Sequence, residues 1–304
     1  MAFSADISVL GPGKVGTTLA VLAARAGLHV AVAGRRADQA AQAAAQAGAG
    51  ASACSLDEAA AAAPLVLLTV SDSAISRLCL ELAQRRSFSP ACVVAHCSGL
   101  LDSAALAPAR VLGCRVGSLH PLASFPSVDV AVAAFAGTWC FVEGDAEAVW
   151  ALERLAGRLG AARCLTLPPG RKPLYHAAAV MACNYLAGLM DAAAALAGQA
   201  GIDPDQALPA LEALVRGTVD NVFSMGPAAA LTGPITRGDA QAVRMHLEAM
   251  RDLDPGLRAL YLAAGRWTVQ LARKKGSISQ QQARDLQDVL GEGWGLESLR
   301  SERP

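Results

Sequence analysis

The strongest constraint on how this chain can fold lies near its beginning, in ISVLGPGKVGTTLAVLAARAGLHVAVAGRR, Ile7 to Arg36. A short apolar run, Ile7–Leu10, meets Gly11, Gly13 and Gly16, and a segment with helical apolar spacing follows over Val15–Ala26. A second strand-like run, Val30–Ala33, ends in Gly34, Arg35 and Arg36. Alone, G-x-G-x-x-G is a weak pattern; between a strand and a helix, at the start of a βαβ unit, it acquires meaning. The three glycines then serve a tight turn, close backbone approach to a pyrophosphate, and tight helix–strand packing. Free amides and the positive end of the helix would hold the phosphates. Gly11, Gly13 and Gly16, with Lys14 and Val15 between them, are therefore expected to bind a dinucleotide; a glycine-rich turn without a ligand is the alternative.

The end of the second strand bears on which dinucleotide. Sites for NAD place Asp or Glu there, to accept hydrogen bonds from the ribose 2′-hydroxyl. Here Gly34-Arg35-Arg36 stands instead, and the first nearby acid is Asp38, already in the next helical segment. An acid would repel a 2′-phosphate, whereas guanidinium groups bind it in fork geometry. The expected cofactor is NADP, against the alternative of a solvated arginine pair.

Strand-like runs recur at Leu65–Val70, Val93–His96, Arg115–Leu119, Cys140–Glu143 and Cys164–Leu167, with alanine-rich helical segments between several of them. That alternation, with strands apolar on both faces, predicts an α/β Rossmann domain with a doubly wound parallel sheet. After TLPPGRKP the pattern turns helical: about Pro173–Ala200, Pro204–Val222, Asp239–Asp252, Pro255–Lys275 and Ser279–Leu290, with Asp239 as an N-cap. The expected division is a dinucleotide-binding domain over 1–168 and an all-helical substrate and dimerisation domain over 169–304, ending in a frayed tail at Glu297–Pro304.

Ligands of open α/β sheets gather outside the carboxyl ends of strands. Val70, Ser71 and Asp72 stand at one such end, His96 and Ser98 at the next, with Gly99 allowing close approach, and His120 at a third. Ser71 or Asp72 would equally serve as a helix cap. We expect Val70, Ser71, Asp72, His96 and Ser98 to flank the cofactor, and His120, with its titration range, to act in chemistry. Across from them, Pro173 suits a first helical position and sets Lys172 just outside the helix. Partial burial there would lower the lysine's pKa. His176 and Asn184 lie eight residues apart, about 80° around a continuous helix and roughly 12 Å along it. His176 is the leading candidate for general acid–base, Lys172 the second, and Asn184 the group that orients substrate. Ala177, Val180 and Met181 would keep water from His176. In LTGPITRGD, Arg237 would suit a substrate carboxylate, as a bidentate guanidinium does.

GPGKVGTTLA, TVSDSAI, AHCSGLL, GSLHPLASF, KPLYHAAAVMACNYLAGLMDAA and LTGPITRGD, in this order, resemble blocks of a bacterial family. Its members are Rossmann-like proteins with a C-terminal helical domain of unknown function. They are related to pyrroline-5-carboxylate reductase, ketopantoate reductase, prephenate dehydrogenase and the β-hydroxyacid dehydrogenases. The resemblance spans nearly the whole chain and implies an NAD(P)-dependent oxidoreductase. His120-Pro121 is similar to the His-Pro segment of prephenate dehydrogenases. One departure stands out: β-hydroxyacid dehydrogenases present a lysine and an asparagine one helical turn apart, whereas one turn after Lys172 comes His176. Catalytic roles are therefore not carried across.

The function expected from these features is hydride transfer between NADP(H) and a small carbonyl, hydroxy-acid or imine in the interdomain cleft. A non-catalytic NADP-binding regulatory or scaffold protein is the alternative class. Lys plus Arg and Asp plus Glu number 26 each, so charge gives no case for nucleic acid or an anionic membrane. No run of about 18 uncharged apolar residues suggests a span, and the N-terminus lacks a signal-like segment, which points to the cytoplasm. Eight scattered cysteines without a C-x-x-C pair point to no metal site. The alanine-rich helical half carries more apolar surface than one small domain need bury, so a homodimer is expected.

Overall fold

Short runs of β-branched and leucine residues supply the centre of the protein. The computed structural model describes residues 4–291; the tail at 297–304 lies outside the described residues. The strands are β1 (Ile7–Leu10), β2 (Val30–Ala33), β3 (Ala51–Ala53), β4 (Leu65–Leu68), β5 (Val93–His96), β6 (Arg115–Pro121), β7 (Trp139–Gly144) and β8 (Arg163–Thr166). They form one eight-stranded sheet in the order β3-β2-β1-β4-β5-β6-β7-β8. Every pairing is parallel except β6 with β7, which is antiparallel and sets Ser118 opposite Glu143. The order reverses direction at β1 and β4, both of which start from the middle of the sheet; this is the doubly wound arrangement.

The helices of this unit are α1 (Lys14–Arg25), α2 (Ala37–Ala47), α3 (Leu56–Ala62), α4 (Asp72–Gln84), α5 (Ala107–Val111), α6 (Val128–Ala134), α7 (Ala146–Arg158) and α8 (Lys172–Ala182). Two cores flank the sheet: one joins Leu68, Ile75, Leu82 and Leu106, the other Val9, Leu19, Val32 and Leu152. Because helices cover both faces, β1 and β2 are buried at every position. Strand β3 and helices α3, α5 and α6 were not legible in the sequence. β3 is ASA, three small residues at the sheet edge with no β-branched signal. α3 is nonetheless well marked at its start by a capping box, Ser55 with Glu58.

The second compact unit begins after Tyr185 rather than at 168/169. The difference has a physical cause: α8 drives its first side chain, Lys172, into the strand ends of the first unit, so the helix packs there. The second unit contains α9 (Asn184–Gln199), α10 (Pro204–Met225), α11 (Pro227–Ala230), α12 (Ala240–Ala249), α13 (Pro255–Lys275) and α14 (Gln280–Gly291), α9 opening two residues before the division. Val243, Leu262, Val269, Leu286 and Leu290 form its core. Asp239 caps α12 as expected, accepting the amide of Ala242 at 2.9 Å. No residue of α9 is buried, and in α10 only Ala207 is.

Candidate active site

At the end of β1 the chain turns through Gly11, whose φ of +122° lies in the region that L side chains avoid. A side chain on Gly16 would collide with the carbonyl of Gly11, so the helix can approach the turn only at a glycine. Gly13 is the N-cap of α1 and offers no side chain to satisfy the first helical amides, which leaves them for an anion. Gly34 is packed against Pro12: a Cβ there would lie 2.5 Å from the proline ring.

A cavity of about 1000 Å³ opens beside this turn, lined by Gly11, Gly13, Gly34, Arg35, Arg36, Val70 and Ser71 among others. Seven of the residues expected at the cofactor site thus share one cavity. Both arginines are exposed. Ser71 is the N-cap of α4 but makes no capping bond with its side chain; its hydroxyl lies 3.3 Å from that of Ser73. Arg77 and Glu81 on α4, Gln39 on α2 and Thr69 also line the cavity and were missed. Arg77 follows Ser71 by six residues, and its helical spacing onto the same wall was the only available signal.

Other expected cofactor residues stand elsewhere. Lys14 is exposed at the first position of α1, and Val15 packs on the core; neither lines the cavity. His96 is corrected outright. Its ring is fully buried, Nδ1 accepts the Ser98 amide at 3.2 Å, and Nε2–H donates to the Asp102 carbonyl at 3.0 Å. Both nitrogens are consumed, leaving none for a cofactor. Burial pushes its pKa down to about 4. Ser98 is likewise engaged: its hydroxyl donates to Asp72 Oδ2 at 2.8 Å and accepts the amides of Leu100 and Leu101. Asp72 and Ser98 therefore shape the loop after β5 and do not line the cavity.

Behind that loop lies a buried polar chain. Lys172, 1% exposed, donates from Nζ to the Ser98 carbonyl and, at 2.8 Å, to Ser118 Oγ. Ser118 donates in turn to Glu143 Oε1 at 2.8 Å, and Ser103 donates to Glu143 Oε2 at 3.0 Å. Lys172 is the first residue of α8, one position further in than expected, with Arg171 as the cap. Burial pushes its pKa down to about 8, and the Glu143 carboxylate pulls the other way. With 1% of its surface exposed and two donors engaged, Lys172 ties the ends of β5 and β6 together. Glu143 was missed, because an acid inside the strand WCFVEG reads as an edge residue; only its antiparallel pairing with Ser118 reveals its partner.

In front of the loop two imidazoles meet. His120 Nδ1 lies 2.6 Å from the Tyr175 hydroxyl. That hydroxyl has no other partner among the described residues, and the direction of the bond follows the tautomer of His120. Burial, with Lys172 nearby, pushes the His120 pKa down to about 4, while burial raises that of the Tyr175 phenol. Phe141 braces the tyrosine at 4.6 Å between ring centroids. A Cβ on Gly99 would lie 2.8 Å from His176 Nδ1 and 2.9 Å from His120 Nε2, so only glycine lets both rings close over this loop. His176 Nδ1 is buried and has no hydrogen-bond partner among the described residues.

Two expectations fail. Helix α8 ends at Cys183, where φ is −117° and ψ −64°, so Asn184 opens α9 and is exposed. No described hydrogen bond joins it to His176, His120 or Lys172, and the continuous-helix argument that paired it with His176 does not hold. Nor do Ala177 and Met181 cover His176, since both are exposed and only Val180 is half-buried. Arg237 is also exposed, in a turn whose carbonyl accepts from Gln282.

Residues 4–121 match the Rossmann-like domain, and residues 138–268 match a domain of unknown function (DUF2520). No curated protein matches the chain significantly. Among solved structures, protein TM1727 of Thermotoga maritima is 24% identical over 89% of this chain and 99% of its own, with a TM-score of 0.70. The provisionally named NADP oxidoreductase BF3122 of Bacteroides fragilis is also 24% identical, over 88% and 98%, with a TM-score of 0.67. A reductive aminase of Aspergillus terreus, solved with NADPH and ethyl-5-oxohexanoate, is 17% identical over 99% and 95%, with a TM-score of 0.56. At these identities the likeness is one of fold. The chain joins a Rossmann-like domain to a DUF2520 domain, the two-part architecture that its sequence blocks resemble.

Proposed function

We propose that the protein is an NADP-dependent oxidoreductase acting on a small carbonyl, hydroxy-acid or imine compound. The observation that carries this is the cavity in which the Gly11–Gly13 turn, the uncapped start of α1 and Arg35–Arg36 stand together. The residues present fit the cofactor: backbone amides for the pyrophosphate, no acid at the end of β2, and two guanidinium groups for a 2′-phosphate. Bound there, NADP(H) would accept or supply hydride. The protein's own contribution is a proton. We assign that role to His176, whose Nδ1 is buried and without a partner among the described residues; His120 and Tyr175 stand beside the same loop, and Lys172 holds it. The names of the solved structures of similar fold, an NADP oxidoreductase and NADPH-bound reductive aminases and imine reductases, agree with this reading.

The cofactor preference is tested by calorimetric titration. NADPH is expected to bind more tightly than NADH. Replacing Arg35 and Arg36 with alanine should weaken NADPH by about 1–3 kcal/mol, the range of charge-assisted hydrogen bonds, and leave NADH nearly unchanged. Equal affinities in the unaltered protein would overturn the assignment.

We also propose a homodimer through the second unit. In its helices α9 and α10 only Ala207 is fully buried, although both are apolar: Phe223 is 86% and Leu214 67% exposed. Residues 172–199 are long and apolar enough, by length and composition, to cross a membrane, yet Lys172 at the start is bonded into the sheet. A groove of about 580 Å³ lined by Met190, Leu208, Leu211 and Val215 continues this face. Burying such a surface against a second copy gains about 25 cal/mol per Å². Light scattering at micromolar concentration should give twice the 31.0 kDa chain mass; a monomer mass would count against it. The eight free thiols suit a reducing compartment, the cytoplasm.

A further inference from the structure

Two thiols meet at the amino ends of β5 and β6, the opposite ends from Ser98 and His120. Cys92 and Cys114 each stand one residue before a register pair, Val93 with Arg115, and the Cys92 carbonyl accepts the Arg115 amide at 2.9 Å. They are therefore neighbours across adjacent parallel strands, which run about 4.8 Å apart. That spacing falls within the range of about 4.4–6.8 Å between α-carbons that a disulfide spans. Both side chains enter the same core, and their sulfurs lie 3.6 Å apart. Cys79, also buried in that core, directs its thiol to the Leu106 carbonyl at 3.8 Å. We propose that Cys92 and Cys114 are a redox site, which a hydroperoxide closes into a disulfide that staples β5 to β6.

The pair is buried but shallow. Cys92 is 3% and Cys114 1% exposed, yet Ala91, Gly113 and Arg115 beside them all face solvent. Cys114 Sγ donates to the Ser89 carbonyl at 3.9 Å, so the turn over 89–91 forms the cover. Within it Ala91 holds φ at +60°, a region that residues with a side chain seldom adopt. The cover is thus strained next to the thiols, and its opening admits a peroxide. The contact from Cys92 lowers the pKa of Cys114 and favours a thiolate there, the reactive form. The Cys114 sulfur attacks one peroxide oxygen and the O–O bond breaks. Sulfur keeps a hydroxyl, as a sulfenic acid, and the other oxygen leaves as an alcohol, or as water from hydrogen peroxide. The Cys92 sulfur then attacks the sulfenic sulfur: the S–S bond forms, the S–O bond breaks, and water leaves with the Cys92 proton. The two sulfurs together lose two electrons and the peroxide gains them. A dithiol reductant reverses the closure by exchange.

The test uses the full reduced chain, with hydrogen peroxide as the probe and the exposed Cys183 as the report that oxidant is sufficient. Remaining thiols are alkylated under denaturing conditions, and trypsin then releases residues 87–110, with Cys92, and 111–115, with Cys114. These peptides should be found joined, lighter than their sum by two hydrogens, with fragmentation assigning the bond to Cys92 rather than Cys97. The oxidised chain should melt about 4–10 °C higher, because the link constrains the unfolded state, and dithiothreitol should reverse both changes. Cys92→Ser and Cys114→Ala should each abolish the joined peptide and the shift; the unaltered chain decides the matter if either variant fails to fold. Recovery of both cysteines alkylated after Cys183 is fully oxidised would overturn the proposal, as would a bond from either to Cys79 or Cys97. So would joining that appears only when peroxide is added in urea, or a melting temperature that does not rise.

Discussion

Replacing His176 with alanine is expected to lower turnover by about 10²–10⁴-fold on any substrate that the enzyme reduces with NADPH, the usual scale for loss of a general acid or base. The affinity for NADPH should hardly change, because the cavity that would hold it is lined by the β1 turn, the end of β2 and α4, and not by α8. Stability should hold or rise slightly, since the variant removes a buried nitrogen that has no partner among the described residues. The three readouts together distinguish chemistry from architecture. A variant with near-normal turnover would make His176 a packing residue and pass the proton to Tyr175 or His120.

The second large effect is on stability in mild acid. His96 and His120 both have pKa values pushed down to about 4 by burial, against 6.5 in an unfolded chain. Between those values the unfolded state binds protons that the folded state refuses, so stability is lost as pH falls from 6.5 towards 4. Each group contributes on the order of 3 kcal/mol across the whole window. Urea unfolding between pH 6.5 and 5, where most carboxylates are still charged, should show a fall of about 3 kcal/mol for the pair. His96→Asn should remove about half of that slope. A flat profile in this range would mean that the two rings are solvated in the folded protein.

How much of this was legible beforehand can be read from individual residues. β1, β2 and β5 were readable to the residue, because strands covered on both faces are continuous apolar runs bounded by turn signals. The glycine turn after β1 was legible for the same local reason: Gly11, Gly13 and Gly34 act through backbone geometry that neighbours in the sequence decide. The chemistry was only half legible. His120, Lys172 and His176 were identified as candidates by position, but their surroundings depend on contacts 54 to 77 residues away in the chain, such as Lys172 to Ser118 and His120 to Tyr175. Nothing local distinguishes His96, locked by Ser98 and Asp102, from His176, left open. Asn184 failed because one residue, Cys183, breaks the helix that the periodicity had assumed continuous.

The antiparallel strand β7 makes the two sequence modules inseparable. The DUF2520 match begins at residue 138, one position before β7 starts, so the sheet itself is stitched from both modules. The first module supplies Ser98, Gly99, Ser118 and His120; the second supplies Glu143, Lys172, Tyr175 and His176. Cutting at the module seam would strip β6 of its neighbour, leave Ser118 without either partner, and take away both Lys172 and His176. A shuffled gene that paired this Rossmann-like half with an unrelated helical half would keep the β1 turn and its cavity and lose the partners of Ser118 and His120. The buried Lys172–Ser118–Glu143 chain therefore exists only while both matched segments stay in one chain, joined through a strand that the second lends to the sheet of the first.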